Sequence, residues 1–221
     1  MKPNSTSEGL LIGLSLAPFI YVAVVWNGLP AEIATHYGLN GRPDGWQRKE
    51  TAALLMGGMA VLLYLLLRYL PRFNPKGRLQ TTNYQKLRIV VTAFFAATTV
   101  WQWYTAAHRV NGGPNQPTNG MLVLTGLLLA GVGNYLTTIK PNYFVGIRTP
   151  WTLESETVWR RTHRLAGRLM VVGGLLAAGL ALAVPLPYTI GAVMGVVGLV
   201  TLLPVVYSYV YFRREKTGQL N

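Results

Sequence analysis

The chain has 221 residues, 51% of them hydrophobic and only 12% charged, and it carries a formal net charge of +13. A soluble domain typically holds about 25% charged residues, so a soluble class is set aside. The lack of cysteine excludes disulfides, thiol catalysis and Cys-ligated zinc.

Six uncharged apolar runs account for the charge deficit: Gly9–Trp26, Ala52–Leu67, Ile89–Ala107, Met121–Ile139, Leu169–Val184 and Tyr188–Phe212. A spanning helix needs about 17–25 apolar residues. The second and fifth runs are slightly short, and Thr51, Tyr69 and Leu165 extend them. Backbone in hydrocarbon must satisfy its own hydrogen bonds, which makes these runs helices. They are continuous, not alternating, so a barrel is rejected. The expected fold class is all-α, a polytopic membrane protein of six transmembrane helices. The first run follows Lys2 but exceeds the usual 7–15-residue core of a signal peptide, and no small-x-small site follows Trp26. It is expected to be a retained helix.

The first connection runs from Leu29 to Trp46. Pro30 suits a first helical position and Gly38 a helix stop, which predicts a short helix between them. Glu32 and His36, four apart, would share its face. Arg42-Pro43-Asp44-Gly45 is a strong turn signal that can return Asp44 toward His36. Trp46 suits a membrane–water interface. His36 and Asp44 could join His108, from the outer end of the third run, in a metal site. The spacing fits no strong metal motif and there is no His-Glu-x-x-His. The favoured reading is that His36 and Asp44 hydrogen-bond within the loop and fix its shape, with no metal and no cofactor.

The second connection, Pro71 to Arg78, is basic and turn-rich. Asn111 to Pro117 reads as a flexible turn, and Pro185-Leu186-Pro187 as a tight one. Within the runs the polar residues are Ser15, Thr98, Thr99, Gln102, Thr125 and Asn134. None is ionisable, which counts against an ion-driven pump. Asn134, between Gly133 and Tyr135, is expected to bond across helices. Gly191 and Gly195 form a Gly-x-x-x-Gly pair, and Gly131 and Gly133 sit in the fourth run. Such pairs fit packing within the chain, the favoured reading, or a homo-oligomer seam. Pro204 is expected to kink the sixth helix.

The fourth connection is richest in chemistry. Asn142 and Gly146 suit turns, and Pro150 biases Thr149 toward extended backbone. Thr152 is expected to cap a helix whose first turn holds Glu154 and Glu156, favourable at the positive end of the dipole. Glu156, Trp159 and His163 fall on one stripe of that helix. Arg148, among aromatics that include Trp151, has two readings. It either anchors to lipid phosphate or to Glu154 or Glu156 and orders the loop, or it presents a fork of donors to an anionic or carbonyl group.

The basic residues set an orientation. Lys2, six between Arg68 and Arg88, six between Lys140 and Arg168, and Arg213, Arg214 and Lys216 fall on one side. Only Arg42, Arg48, Lys49 and Arg109 fall on the other. The positive-inside rule places both termini in the cytoplasm. The net charge is then an orientation signal and an attraction to anionic lipid, and no nucleic-acid partner is expected. Two regions suggest themselves: residues 1–80, a two-helix hairpin with an external loop (29–46), and residues 81–221, a four-helix region with a cytoplasmic loop (140–164).

Pro30, Ile33, His36, Gly41 and Asp44 have the spacing of an uncharacterised N-terminal domain that often precedes SdpI-type regions. Gly133-Asn134-Tyr135, Lys140-Pro141-Asn142, Gly146 to Thr152, and Val158-Trp159 with Thr162-His163 resemble the SdpI family signature. The resemblance implies a bacterial cytoplasmic (inner) membrane protein of the immunity type. The family's named member confers immunity to a secreted killing peptide and holds a transcriptional repressor at the membrane. The implied partners are the bilayer, a toxin peptide and a cytoplasmic repressor. Candidate binding residues are Asn134, Asn142, Arg148, Thr149, Trp151, Glu156, Trp159, His163, His36 and Asp44. Two alternatives are a metal-dependent membrane enzyme using His36, Asp44 and His108, and a small-molecule or peptide transporter.

Overall fold

The computed structural model describes residues 5–73, 82–108, 117–186 and 188–218. Several sequence readings lie outside them: Lys2, residues 74–78 of the second connection, Arg109, the turn from Asn111 to Gln116, and Pro187. The described chain runs α1 (Ser5–Val25), a 3₁₀ turn (Trp26–Gly28), β1 (Glu32–Tyr37), β2 (Pro43–Arg48), α2 (Lys49–Tyr69), a second 3₁₀ turn (Leu70–Phe73), α3 (Thr82–Ala107), α4 (Pro117–Leu136), α5 (Pro150–Glu154), α6 (Glu156–Ala183) and α7 (Tyr188–Lys216).

Each apolar run forms a long helix. By length and composition, five segments can cross a membrane: Thr6–Gly28, Lys49–Phe73, Thr118–Leu136, Glu156–Ala183 and Tyr188–Lys216. The expected sixth, α3, is 26 residues long but more polar. It packs between α1 and α4, and Arg88, Thr92, Thr99 and Thr105 on it are buried. Its threonines bond their own helix, with Thr99 donating to Phe95 O at 2.8 Å and Thr105 to Gln102 O at 3.0 Å. A helix that hides polar residues in protein need not be as apolar as one facing lipid. α7 runs through the buried Pro204 as one helix.

The helices pack in the order α2, α1, α3, α4, α6, α7. The α4–α6 seam is the closest. A Cβ added to Gly126 would lie 2.7 Å from Ala178 N, and one added to Gly174 would lie 2.6 Å from Ala130 N. Seven residues along each helix the contact repeats. A Cβ on Gly133 would lie 2.8 Å from Gly167 O, and one on Gly167 would lie 2.6 Å from Gly133 O. Backbones this close require glycine on both sides. The pair expected to pack within the chain behaves otherwise. Neither Gly191 nor Gly195 has an atom within 4 Å of an added Cβ, so that face of α7 is open.

Two corrections concern the first connection. The fold is mostly helical but not all-α, and the segment expected to be a short helix is an antiparallel hairpin. β1 pairs β2 with Glu32 opposite Arg48, Ile33 opposite Gln47 and Ala34 opposite Trp46. Ile33, Thr35 and Tyr37 alternate β-branched and aromatic side chains along β1, and that pattern favours a strand over a helix. The turn closes through Gly38 N–H to Arg42 O at 2.9 Å, with Gly41 at φ +73°. Ile33 is 1% exposed and packs with Leu29, Ala52 and Trp103, so the hairpin is seated on α2 and α3.

The long helices share two ends. At the hairpin end, Gln102 of α3 donates to Ala34 O at 2.8 Å and Thr118 of α4 to Gly41 O at 2.8 Å. At the other end, Glu8 of α1 meets Arg88 of α3 at 2.5 Å and Arg68 of α2 at 3.2 Å. Thus α1 and α3 run parallel, joined at one end by Glu8 and Arg88, while at the other end α3 is tied to the hairpin that follows α1, and α2 runs antiparallel to both.

Candidate functional site

The segment from Lys140 to Glu156 folds against the end of the bundle that carries Glu8. Asn142 organises its first half. Its Nδ2 donates to Lys140 O at 2.9 Å and Val145 O at 3.1 Å, while its Oδ1 accepts from Phe144 N–H at 2.9 Å and Val145 N–H at 2.7 Å. A buried amide with both donors and its acceptor engaged is locked.

His163 holds the second half. Nδ1 lies 2.8 Å from Trp159 O and can only donate to it, so Nε2 is the acceptor that takes Ile147 N–H at 3.0 Å. This assigns a neutral Nδ1-protonated ring. The ring stacks on Trp159 at 4.0 Å, and the indole Nε1–H donates to Ile139 O at 3.0 Å. Gly146 has φ +115°, and any Cβ there would run into His163 Nε2. Val145, Ile147 and Leu153 pack on the cluster of Tyr84, Tyr135, Leu136 and Trp159.

The helix starts are double and correct the expected cap. Thr149, not Thr152, is the first N-cap, and Thr152 closes a reciprocal capping box with it. Thr152 Oγ1 also donates to Ile147 O at 2.8 Å. Ser155 then caps α6 through Val158 N–H at 3.2 Å. The brief break arises because Ser155 adopts an extended backbone, which turns α5 into a separate short helix. Trp151 Nε1–H donates to Ser208 Oγ of α7 at 2.6 Å, and its ring meets Tyr209 edge-on.

The candidate residues therefore divide into two groups. Asn142, Trp159 and His163 are buried and spend their polar atoms on the loop itself. Thr149 and Trp151 are half-buried, and Arg148 and Glu156 are exposed. Arg148 donates to Tyr143 O from within the same loop. Of the two acids that could have paired with it, Glu154 instead pairs with Lys216 at 2.9 Å, and no ion pair joins Arg148 to Glu156 among the described residues. Asn134 is exposed, and among the described residues it forms no cross-helix side-chain bond, contrary to expectation.

At the hairpin end, His36 Nδ1 lies 2.5 Å from Asp44 Oδ1, as the turn signal led us to expect. Both are exposed. His108 is exposed too, stacked on Tyr104 at 4.3 Å and bonded to Tyr104 O at 2.9 Å. No group of three His, Asp or Glu residues gathers among the described residues.

The sequence reading missed one cluster entirely. Glu8 and Arg88 fall one position outside the apolar runs, where they look like ordinary end charges. Folded, their side chains are 13% and 7% exposed, and Tyr64 and Arg68 complete the group. The available signal was faint: Glu8 is the first acid of the chain, and the next, Glu32, lies beyond α1.

The tightly built segment falls within the stretch that matches a known family. Residues 138–208 match the SdpI/YfhL protein family. Over that region the chain is similar to the members of that family. Residues 13–70, which include the hairpin and α2, match a domain of unknown function (DUF1648). The resemblance drawn from the sequence is thereby borne out in both halves. The chain is also 34% identical over 89 residues to Immunity protein SdpI of Bacillus subtilis (strain 168). That match covers 40% of this chain and 42% of the relative, so the chain spans less than half of the relative's length. No solved structure matches. The helices and this relative together mark a bacterial membrane protein.

Proposed function

We propose that the chain is a non-catalytic immunity protein of the bacterial cytoplasmic membrane, which protects its cell against a secreted membrane-active peptide. The observation that carries the reading is the match of residues 138–208 to the SdpI/YfhL family over the segment whose hydrogen bonds are most fully spent on its own shape. A loop locked in this way presents Arg148, Trp151 and Glu156 from a fixed frame, as recognition requires. The same surface is the place for a cytoplasmic repressor to dock.

All six long helices cross the bilayer in this reading, with both termini and residues 140–164 on the cytoplasmic side. The paired ends of α1 and α3 support the sixth crossing. The excess of Lys and Arg at the Glu8 end supports the orientation. The metal-enzyme alternative gains no support, because His36 and Asp44 pair with each other and His108 with its own helix.

The test is survival. A Bacillus subtilis strain without Immunity protein SdpI, made to express this chain, should survive challenge with the killing peptide better than the empty-vector strain. Arg148→Ala at equal membrane abundance should lose that gain. No gain from the unmodified chain, once it is shown to be in the membrane, overturns the proposal.

A further inference from the structure

The outer face of the α6–α7 pair carries a groove that neither the loop nor the ion-pair cluster uses. Leu165 and Leu169 of α6 form one wall, and Leu203, Val206, Tyr207 and Val210 of α7 form the other. Tyr211 and Arg214 close its end. A second, polar cavity lined by Thr157, Arg160, Arg161 and Arg164 lies on the adjoining turns of α6. The two are joined at Tyr211, whose ring carries the Arg161 guanidinium at 5.6 Å from its centre. Arg160, Arg161, Arg164 and Arg214 are all exposed, and none forms an ion pair among the described residues.

Helix length sets the depth of each part. α6 has 28 residues and α7 has 29. At about 1.5 Å per residue each is over 40 Å long, against a hydrocarbon core of about 30 Å. About eight residues of each helix must project. The apolar ends at Ala183 and Tyr188 are joined by a short turn, so the projecting turns are those of the arginines. The apolar groove then lies within the hydrocarbon and the guanidinium groups lie at headgroup level.

We infer that this groove binds one anionic phospholipid, with an acyl chain between the leucine and valine walls and the phosphodiester among Arg161, Arg164 and Arg214. The uncompensated guanidinium charges select for an anionic headgroup, because arginine forks match phosphate oxygens. The apolar groove continuous with them selects for a lipid over a free phosphate. The inference depends on α6 and α7 crossing the membrane and not on the immunity reading, so either can fail alone.

Native mass spectrometry of the full chain in detergent, titrated with phosphatidylglycerol or phosphatidylcholine, tests it. The unmodified chain should retain phosphatidylglycerol at least tenfold more tightly, on the basis of roughly fivefold per arginine. Excess inorganic phosphate should not displace it. Arg161→Gln/Arg164→Gln/Arg214→Gln should lose the preference, while Arg72→Gln/Arg213→Gln should keep it. Leu203→Trp, which fills the groove without changing charge, should weaken retention of phosphatidylglycerol and provides the decision should the triple variant fail to fold. Equal retention of the two lipids by the unmodified chain overturns the inference. So do displacement by phosphate, loss of preference in the control variant, or undiminished retention by Leu203→Trp.

Discussion

His163 fixes Ile147: its Nε2 takes the Ile147 N–H at 3.0 Å across sixteen residues of chain. That bond ties the middle of the loop to α6, and the ring is held in the accepting tautomer by Trp159 O at 2.8 Å. Removing the acceptor strands a backbone donor in a closed site, which costs about 1–3 kcal/mol. His163→Ala should therefore loosen the loop while leaving the long helices intact. Trypsin cleavage after Arg148 in detergent should quicken about tenfold or more, with unchanged helical circular dichroism. Cleavage at the original rate would mean that Asn142 and the capping box suffice to hold the segment.

The reciprocal approach of Gly126 and Gly174 makes a second prediction. Each lacks room for a Cβ because the other helix's backbone occupies the space. Gly174→Ala should push α4 from α6 and cost about 1–3 kcal/mol, the usual range for overpacking. Gly191→Ala, on the open face of α7, should cost nothing measurable. Thermal unfolding of the two variants side by side checks both statements. A similar loss in each would place a packed surface over the Gly191 face.

Glu8 and Arg88 give a third. Their pair lies 2.5 Å apart and is largely shielded. Breaking a buried pair from one side leaves an uncompensated charge and costs about 3–5 kcal/mol. Replacing both members by apolar groups often costs little. Glu8→Leu should destabilise strongly, and Glu8→Leu with Arg88→Met should recover most of the loss. The coupling is read from a double-mutant cycle of unfolding free energies. An additive cycle would show that Arg68 and Tyr64 alone hold this end together.

How far the sequence disclosed all this follows from the range of each signal. The long apolar runs located every long helix, since hydropathy in lipid is a local property. Asp44 returned to His36 because a turn signal is also local. The hairpin differs from the expected helix because Pro30 and Gly38 punctuate a helix and a strand equally well, and the alternation of Ile33, Thr35 and Tyr37 rests on only three side chains. Arg148, Trp159 and His163 stand out by composition, but which of them face inward depends on the packing of α6 against α3 and α4 and on Ser155 breaking the helix. Glu8 with Arg88, and Gly126 with Gly174, are pairs separated by dozens of residues. No local pattern reports such a pairing.

The tie between α1 and α3 yields the last prediction. Glu8 holds Arg88 at one end, and Ala34 O holds Gln102 at the other. These two bonds support the proposal that α3 crosses the same slab as α1, despite its lower hydropathy. With six crossings, residues 140 and 217 lie on the side opposite residue 40. Were α3 to remain on one side, the count would fall to five, and residues 140 and 217 would join residue 40 outside. The chain has no cysteine, so single cysteines report cleanly. Asn40→Cys should react with a membrane-impermeant maleimide in intact cells. Lys140→Cys and Thr217→Cys should react only after permeabilisation. Labelling of all three from outside would establish the five-crossing arrangement and would move the Arg148 loop out of the cytoplasm.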